Sequence, residues 1–203
     1  MRTINRLCDN SKNIVFIVSG RGRDNLSKWF SLCGEIRIAA EHGYYMRWSY
    51  DKEWEICGQN FDFGWIQMAE PVMKLYIEAT YDSSIETKES SLVWHHQDAN
   101  PGFGSCPAKE MFDHLESVLA NKVVAVKRGQ FIIEVKSQGV SKGIVADEVL
   151  TSIANDGRKV DFVLCIGDGR LDEEMFEIIE NTMSRIASLQ CNNFCLHSWT
   201  KTK

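Results

Sequence analysis

The stretch DFVLCIGDGRLDEEMF, residues 161–176, limits the possible folds of this chain more than any other. An apolar, β-branched run (Phe162, Val163, Leu164, Ile166) stops at Gly167-Asp168, and Asp172 then opens an acidic turn into a helical pattern. Such a run predicts a buried parallel strand whose C-terminal end delivers carboxylates into the crevice where open α/β sheets place ligands. Asp168 and Asp172 are therefore candidate oxygen ligands for a hard cation such as Mg²⁺.

The chain has 203 residues, enough for a single domain or for two small units. A net charge of −5 and scattered basic residues argue against nucleic acid or an anionic membrane as the main partner. No apolar run approaches the roughly 20 residues of a membrane span, and the N-terminus lacks the apolar core of a signal peptide. Seven cysteines without paired C-x-x-C spacing fit reduced thiols, and hence a cytoplasmic location.

Along the chain, Asn13 to Ser19 reads as a short strand, and Asp24 as the N-cap of a helix carrying Leu26, Trp29 and Phe30. Ile36 to Ala40 is a second strand, followed by Glu41-His42-Gly43. Helical spacing returns over 68–79, with Ala69, Val72, Met73 and Tyr76 on one stripe. Residues 91–94 read as a strand, and Pro107 opens a helix with Met111, Leu115, Val118 and Leu119 inward. Lys122–Val126 and Gln130–Val135 then form a hairpin that turns at Lys127-Arg128-Gly129. Ser141 caps a helix bearing Ile144, Val145, Val149 and Ile153, and a last helix runs from about Asp172 to Leu189. Of the tryptophans, Trp29, Trp48, Trp65 and Trp94 are expected in the core. Of His95 and His96, adjacent on a strand, at most one can face a site. The order is core α/β, inserted α/β unit, core α/β again.

Two further spots favour phosphate. Ser19 ends a strand and offers a hydroxyl with neighbouring N–H groups. Lys142 lies at a helix N-terminus, where the dipole and free N–H groups attract anions.

The strings VSGRGRDNLSKWF, IAAEHGYYMRW, SSIETKESSLVWHHQDA, VKRGQFIIEVKSQGVSKGIVA and DFVLCIGDGRLDEEMFEII closely resemble the C-terminal phosphatase-like region of plant class II trehalose-6-phosphate synthases. That region belongs to the haloacid dehalogenase superfamily. The resemblance implies an α/β fold, a Rossmann-like haloacid dehalogenase core with an inserted α/β cap, here incomplete. It gives core residues 1–66 and 139–182, a cap over 67–138 and a divergent tail over 183–203. By position, Ser19 matches the motif that holds the transferring phosphoryl group, and Lys142 the motif that balances its charge. Asp168 and Asp172 match the Mg²⁺-binding acids. Glu86 and Lys88 with His95 match a cap segment that contacts the sugar in active phosphatases, Glu134 matches another cap position near the substrate, and Glu41, His42 and Gly43 match a core segment near the site.

The departures are as specific. The family's nucleophilic Asp and its acid–base Asp form an Asp-x-Asp motif on a strand upstream of Ser19. Here only Asp9 precedes Ser19, and no Asp-x-Asp occurs anywhere. Without the first carboxylate no phospho-aspartyl intermediate forms, and without the second nothing protonates the leaving sugar oxygen. Gly169 replaces a second acid, and Gln97 stands where an Arg is usual, removing a bidentate donor. Both ends are expected to be cut, leaving an exposed sheet edge. The tail is expected to fray, and the spacing of Cys191, Cys195 and His197 fits no zinc pattern.

The expectation is thus an inactive trehalose-6-phosphate phosphatase-like domain that binds trehalose 6-phosphate or a related sugar phosphate. The alternatives are an active Mg²⁺-dependent phosphatase, if the missing strand exists in the native protein, and a non-catalytic module that steadies a trehalose-6-phosphate synthase.

Overall fold

The computed structural model describes residues 2–57, 61–99, 105–167, 172–190 and 195–200. Two compact units emerge, the first formed by residues 1–57 with 140–203 and the second by residues 58–139. The architecture is mixed α/β, with a Rossmann-like core interrupted by an α/β insert.

In the core unit, α1 (Arg2–Cys8) precedes β1 (Phe16–Val18), α2 (Arg23–Trp29), β2 (Arg37–Ala40), β3 (Tyr45–Arg47) and β4 (Glu55–Ile56). These strands form a sheet in the order β1-β2-β3-β4, parallel between β1 and β2 and antiparallel beyond. The N-cap of α2 is Gly22 without a side-chain bond, so Asp24 lies inside the first turn and does not cap it. A carboxylate there still complements the helix dipole. Trp29 is 52% exposed, against expectation, because Leu26 is the buried residue of this short helix.

The insert holds α3 (Ile66–Ala79), β5 (Ser84–Thr87), β6 (Ser91–His95), α4 (Ser105–Val118), β7 (Val124–Gly129) and β8 (Ile132–Ser137). Its antiparallel sheet runs β5-β6-β8-β7. Alternation sends Leu92, Trp94, Ile133 and Val135 to one face, where they meet Ala69, Val72 and Met73 of α3 and Met111 and Leu115 of α4. Trp65, expected on the core side of the boundary, packs into this cluster. The hairpin reverses after Gly129, not at Lys127-Arg128-Gly129. Lys127 and Arg128 belong to β7, and Phe131 takes the left-handed conformation at φ 59°.

The chain re-enters the core at α5 (Lys142–Asn155), then β9 (Phe162–Gly167), α6 (Glu173–Gln190) and β10 (Cys195–Thr200). The Ser141 hydroxyl caps α5 by accepting the Ile144 N–H at 3.2 Å. Two stripes leave α5. Val145, Val149 and Ile153 meet Ala39 and Met46 with Phe16 and Val18, while Ala146, Leu150 and Ala154 meet β9 and α6. Ile144 is 37% exposed, and Leu150 takes the inward position expected of it. Gly143 lets α6 approach closely, since a Cβ there would stand 2.4 Å from Ile178 Cδ1.

The full burial expected of β9 is not found. The strand is parallel to its neighbour, but that neighbour is β10 alone among the described residues. Cys165 and Val163 pack on α5 and α6, while Phe162, Leu164 and Ile166 are 55%, 58% and 64% exposed. Nor does the tail simply fray: α6 continues to Gln190, and residues 195–200 pair with β9 as β10. Cys191 lies outside the described residues.

Candidate functional site

Ser19 follows β1 directly. Its N–H donates to the Ala39 carbonyl at 3.0 Å, and its hydroxyl accepts the Arg21 N–H at 3.2 Å. The next loop is laced to it, the His42 N–H donating to the Ser19 carbonyl at 2.9 Å and the Glu41 N–H to the Arg21 carbonyl at 3.0 Å. Glu41, His42 and Gly43 have φ of 49°, 61° and 108°, three left-handed residues in succession. Such a conformation strains the two with side chains. The backbone bonds hold it, and Glu41 and His42 stay buried.

Two glycines make this packing possible. A Cβ at Gly20 would lie 2.6 Å from His42 Nε2, so the imidazole occupies the space a side chain would need beside Ser19. A Cβ at Gly43 would lie 2.1 Å from Val145 Cγ2 and 3.7 Å from the Ser141 carbonyl oxygen. The Ser19 loop therefore reaches the first turn of α5 through Gly43, and that turn carries Lys142.

The Lys142 ammonium donates to Asp172 Oδ1 at 2.6 Å, with side-chain exposures of 18% and 6%. Asp172 also lies against the end of β9, where a Cβ on Gly167 would be 2.5 Å from its Cβ. Cys165, on the same strand, is no nucleophile in waiting. Burial chiefly, then the Asp172 charge, pushes its thiol up to about 11, so the thiolate is scarce at neutral pH. Asp168 lies outside the described residues.

In the insert, Glu86 faces Val93 across β5–β6, and Val93 faces Glu134 across β6–β8. By alternation Lys88 and His95 share that face, opposite the apolar one. His95 Nε2 stands 2.9 Å from Glu86 Oε2. Lys88 Nζ lies 3.8 Å from Glu86 Oε2 and 3.9 Å from Glu134 Oε1. His96 goes to the other side, its ring stacked on Trp94 at 4.6 Å between centroids. Sequence reasoning missed Lys136, which is 5% exposed and shares the Glu134 face; the alternation I-E-V-K along β8 would have located it.

The core group thus offers a hydroxyl and an ammonium, groups suited to an oxyanion. The insert offers carboxylates, an ammonium and an imidazole, a set suited to hydroxyls. A Mg²⁺ site is another matter. Asp172 is committed to the Lys142 ammonium, and no group of three or more His, Cys, Asp or Glu able to hold a metal occurs among the described residues. Mg²⁺ keeps several waters and is held through one or two carboxylates, and of the two expected acids Asp172 is paired with Lys142 while Asp168 lies outside the described residues. Nor is any helix among the described residues long and apolar enough to cross a membrane.

Comparison with known proteins agrees with the α/β fold. The trehalose-phosphatase family model matches residues 1–197. A probable α,α-trehalose-phosphate synthase [UDP-forming] of Arabidopsis thaliana, number 7 in its series, is 60% identical over 97% of this chain, which spans 23% of that relative. Trehalose-phosphatase of Schizosaccharomyces pombe is 32% identical over 88% of the chain and 20% of its own length. The chain therefore spans about a fifth of the length of the curated relatives it matches. The C-terminal domain of trehalose-6-phosphate phosphatase from C. albicans superposes with a TM-score of 0.85 at 30% identity, over 96% of this chain and 69% of that one. The chain belongs to the trehalose-phosphatase family, as a phosphatase-like domain of trehalose biosynthesis.

Proposed function

We propose that this chain binds trehalose 6-phosphate or a related sugar phosphate and does not hydrolyse it. The observation that carries the second half is the absence of a placed carboxylate ahead of Ser19. The sequence there holds Asp9 alone, an exposed residue just past the end of α1. A phosphoryl acceptor must lie within reach of the phosphorus, and a second acid must protonate the departing sugar oxygen. Neither is supplied by residues 1–18, and the Cys165 thiol is protonated at neutral pH.

Binding is supported by the groups that remain. Ser19 with its turn, and Lys142 at the head of α5, suit the phosphate. Glu86, Lys88, His95 and Glu134 suit sugar hydroxyls, to which carboxylates act as acceptors and the ammonium as donor. An oxyanion near Lys142 competes with Asp172 for the ammonium, so the affinity is set by the difference between two ion pairs.

The test is thermal unfolding with and without trehalose 6-phosphate, beside a phosphate-release assay with Mg²⁺. The expected result is a raised melting temperature without released phosphate. An unchanged melting temperature at millimolar ligand removes the binding proposal, and Mg²⁺-dependent release abolished by Asp168→Asn establishes the active reading instead. A non-catalytic interaction role is favoured by one observation, the apolar face of Phe162, Leu164 and Ile166. Synthase partnership follows from that role if the chain co-purifies with a trehalose-6-phosphate synthase, and fails if it does not.

A further inference from the structure

The helix α1 buries none of its residues, so little apolar packing ties it to the core. Two side-chain amides hold it instead. Asn5 Nδ2 donates to the Leu32 carbonyl at 3.2 Å, and Asn13 Nδ2 donates to the Leu7 carbonyl at 3.1 Å. The first of these bonds sets α1 against the turn between α2 and β2. That turn is fixed by its own backbone, the Cys33 N–H donating to the Phe30 carbonyl at 2.9 Å and the Ile36 N–H to the Cys33 carbonyl at 3.4 Å.

Each partner of the Asn5–Leu32 bond has a cysteine beside it. Cys8 stands three residues after Asn5 on the same face of α1, a spacing that brings Cβ atoms within about 5–6 Å. Cys33 follows Leu32 and turns the other way, Leu32 being 78% exposed and Cys33 1%. Both are thiols, and Cys8 is half-buried. Burial chiefly, then Cys33 ahead of Asp9 and Glu35, pushes the Cys8 thiol above its ordinary value. A group felt more strongly than the adjacent Asp9 carboxylate is a near neighbour. The influences on Cys57 and Cys165, by contrast, include no cysteine.

We propose that Cys8 and Cys33 are a reversible disulfide-forming pair, oxidised by a low-molecular-weight disulfide such as glutathione disulfide. The Cys8 thiolate attacks one sulfur of the oxidant, forming a mixed disulfide and expelling one small thiolate. The Cys33 thiolate then attacks the Cys8 sulfur, forming the Cys8–Cys33 bond and expelling the second small thiolate. Two protein thiols are oxidised, one small disulfide is reduced to two thiols, and the protons lost by the protein end on those thiols. Because α1 buries nothing, its local opening admits the oxidant and lets the two sulfurs reach disulfide geometry at little cost. The bond closes residues 8–33 into a loop containing β1, the Ser19 turn and α2, and fastens α1 to the core. It engages none of the groups assigned to the sugar phosphate and is tested apart from them.

For the test, the 203-residue chain is incubated with glutathione disulfide, alkylated with iodoacetamide, digested with trypsin without reductant and read by mass spectrometry. The expected species links residues 7–12 (LCDNSK) to residues 29–37 (WFSLCGEIR), is lighter by two hydrogens than the summed peptides, and disappears with dithiothreitol. Cys57 and Cys165 should be recovered alkylated. Oxidation should also raise the melting temperature of the intact chain, since the crosslink restricts the unfolded state. Cys8→Ser, a change at a half-buried position, should abolish both the linked species and the rise. Neither cysteine modified, a stable glutathione adduct at Cys8 without the linked species, linkage of either cysteine mainly to a third, or an equal rise in Cys8→Ser overturns the proposal.

Discussion

Cutting the Lys142–Asp172 pair is the sharpest test of the core. At 2.6 Å the gross attraction is about 6 kcal/mol for an effective dielectric near 20. Desolvation offsets most of it, since the two side chains are only 18% and 6% exposed. Removing one partner leaves the other charge without its counterion, so Asp172→Asn and Lys142→Met should each lower the unfolding free energy by about 3 kcal/mol. Removing both in Lys142→Met/Asp172→Asn should cost about 4 kcal/mol, less than the two losses added. The expected coupling is about 2 kcal/mol. Urea denaturation of all four proteins, followed by circular dichroism, gives the cycle. Additive losses, with a coupling below about 0.5 kcal/mol, would refute the claim that this pair holds α5 to the end of β9.

Other perturbations are as definite. Gly43→Ala combines a left-handed φ of 108° with a contact of 2.1 Å to Val145 Cγ2 and should destabilise the chain by about 3 kcal/mol in the same urea assay. The Cys165 thiol, held near 11 in the folded state against 9.0 otherwise, makes stability fall as pH rises. The sign follows from the raised folded value: the unfolded thiol ionises first, so stability is complete below pH 9 and is lost progressively toward pH 11. Cys165→Ala should flatten that part of a melting-temperature profile measured from pH 8 to 11. Glu86→Gln and His95→Ala should each remove most of the melting-temperature rise produced by trehalose 6-phosphate while leaving the unliganded melting temperature within about 2 °C, as expected for a part-exposed pair of small net worth.

The elements with strong internal periodicity were legible in the sequence. The stripe Ala69, Val72, Met73 and the alternation of β6 and β8 lead directly to the buried cluster of the insert. What escaped was set by distant neighbours or by backbone conformation. Strand β5 is polar but for Ile85 (Ser84, Glu86, Thr87) and exists because β6 offers it an edge. The hairpin reversal was misplaced because Gly129 signals a turn, whereas the left-handed residue is Phe131, a type that gives no such signal. For β9 the run of apolar residues implies two covered faces, and only the Val163 and Cys165 side is covered by α5 and α6. Within the site, the placement of Ser19 at a strand end and of Lys142 at a helix start was legible. The Lys142–Asp172 pairing was not, since 30 residues separate them and nothing local announces the contact.

The division of labour within α5 has a consequence for how the chain folds. Its Ala146, Leu150 and Ala154 stripe seeks partners that follow closely in sequence, and β9, α6 and β10 form a contiguous unit whose contacts are local. Its Val145, Val149 and Ile153 stripe seeks Phe16, Ala39 and Met46, which the whole insert separates from it. Closing that long loop carries an entropic cost that the first stripe avoids, although the cost grows only slowly with length. Low contact order therefore favours α5–β9–α6–β10 as the early-forming piece, with β1–β4 docking onto it late. Substitutions on the first stripe should slow folding, and those on the second should mainly hasten unfolding.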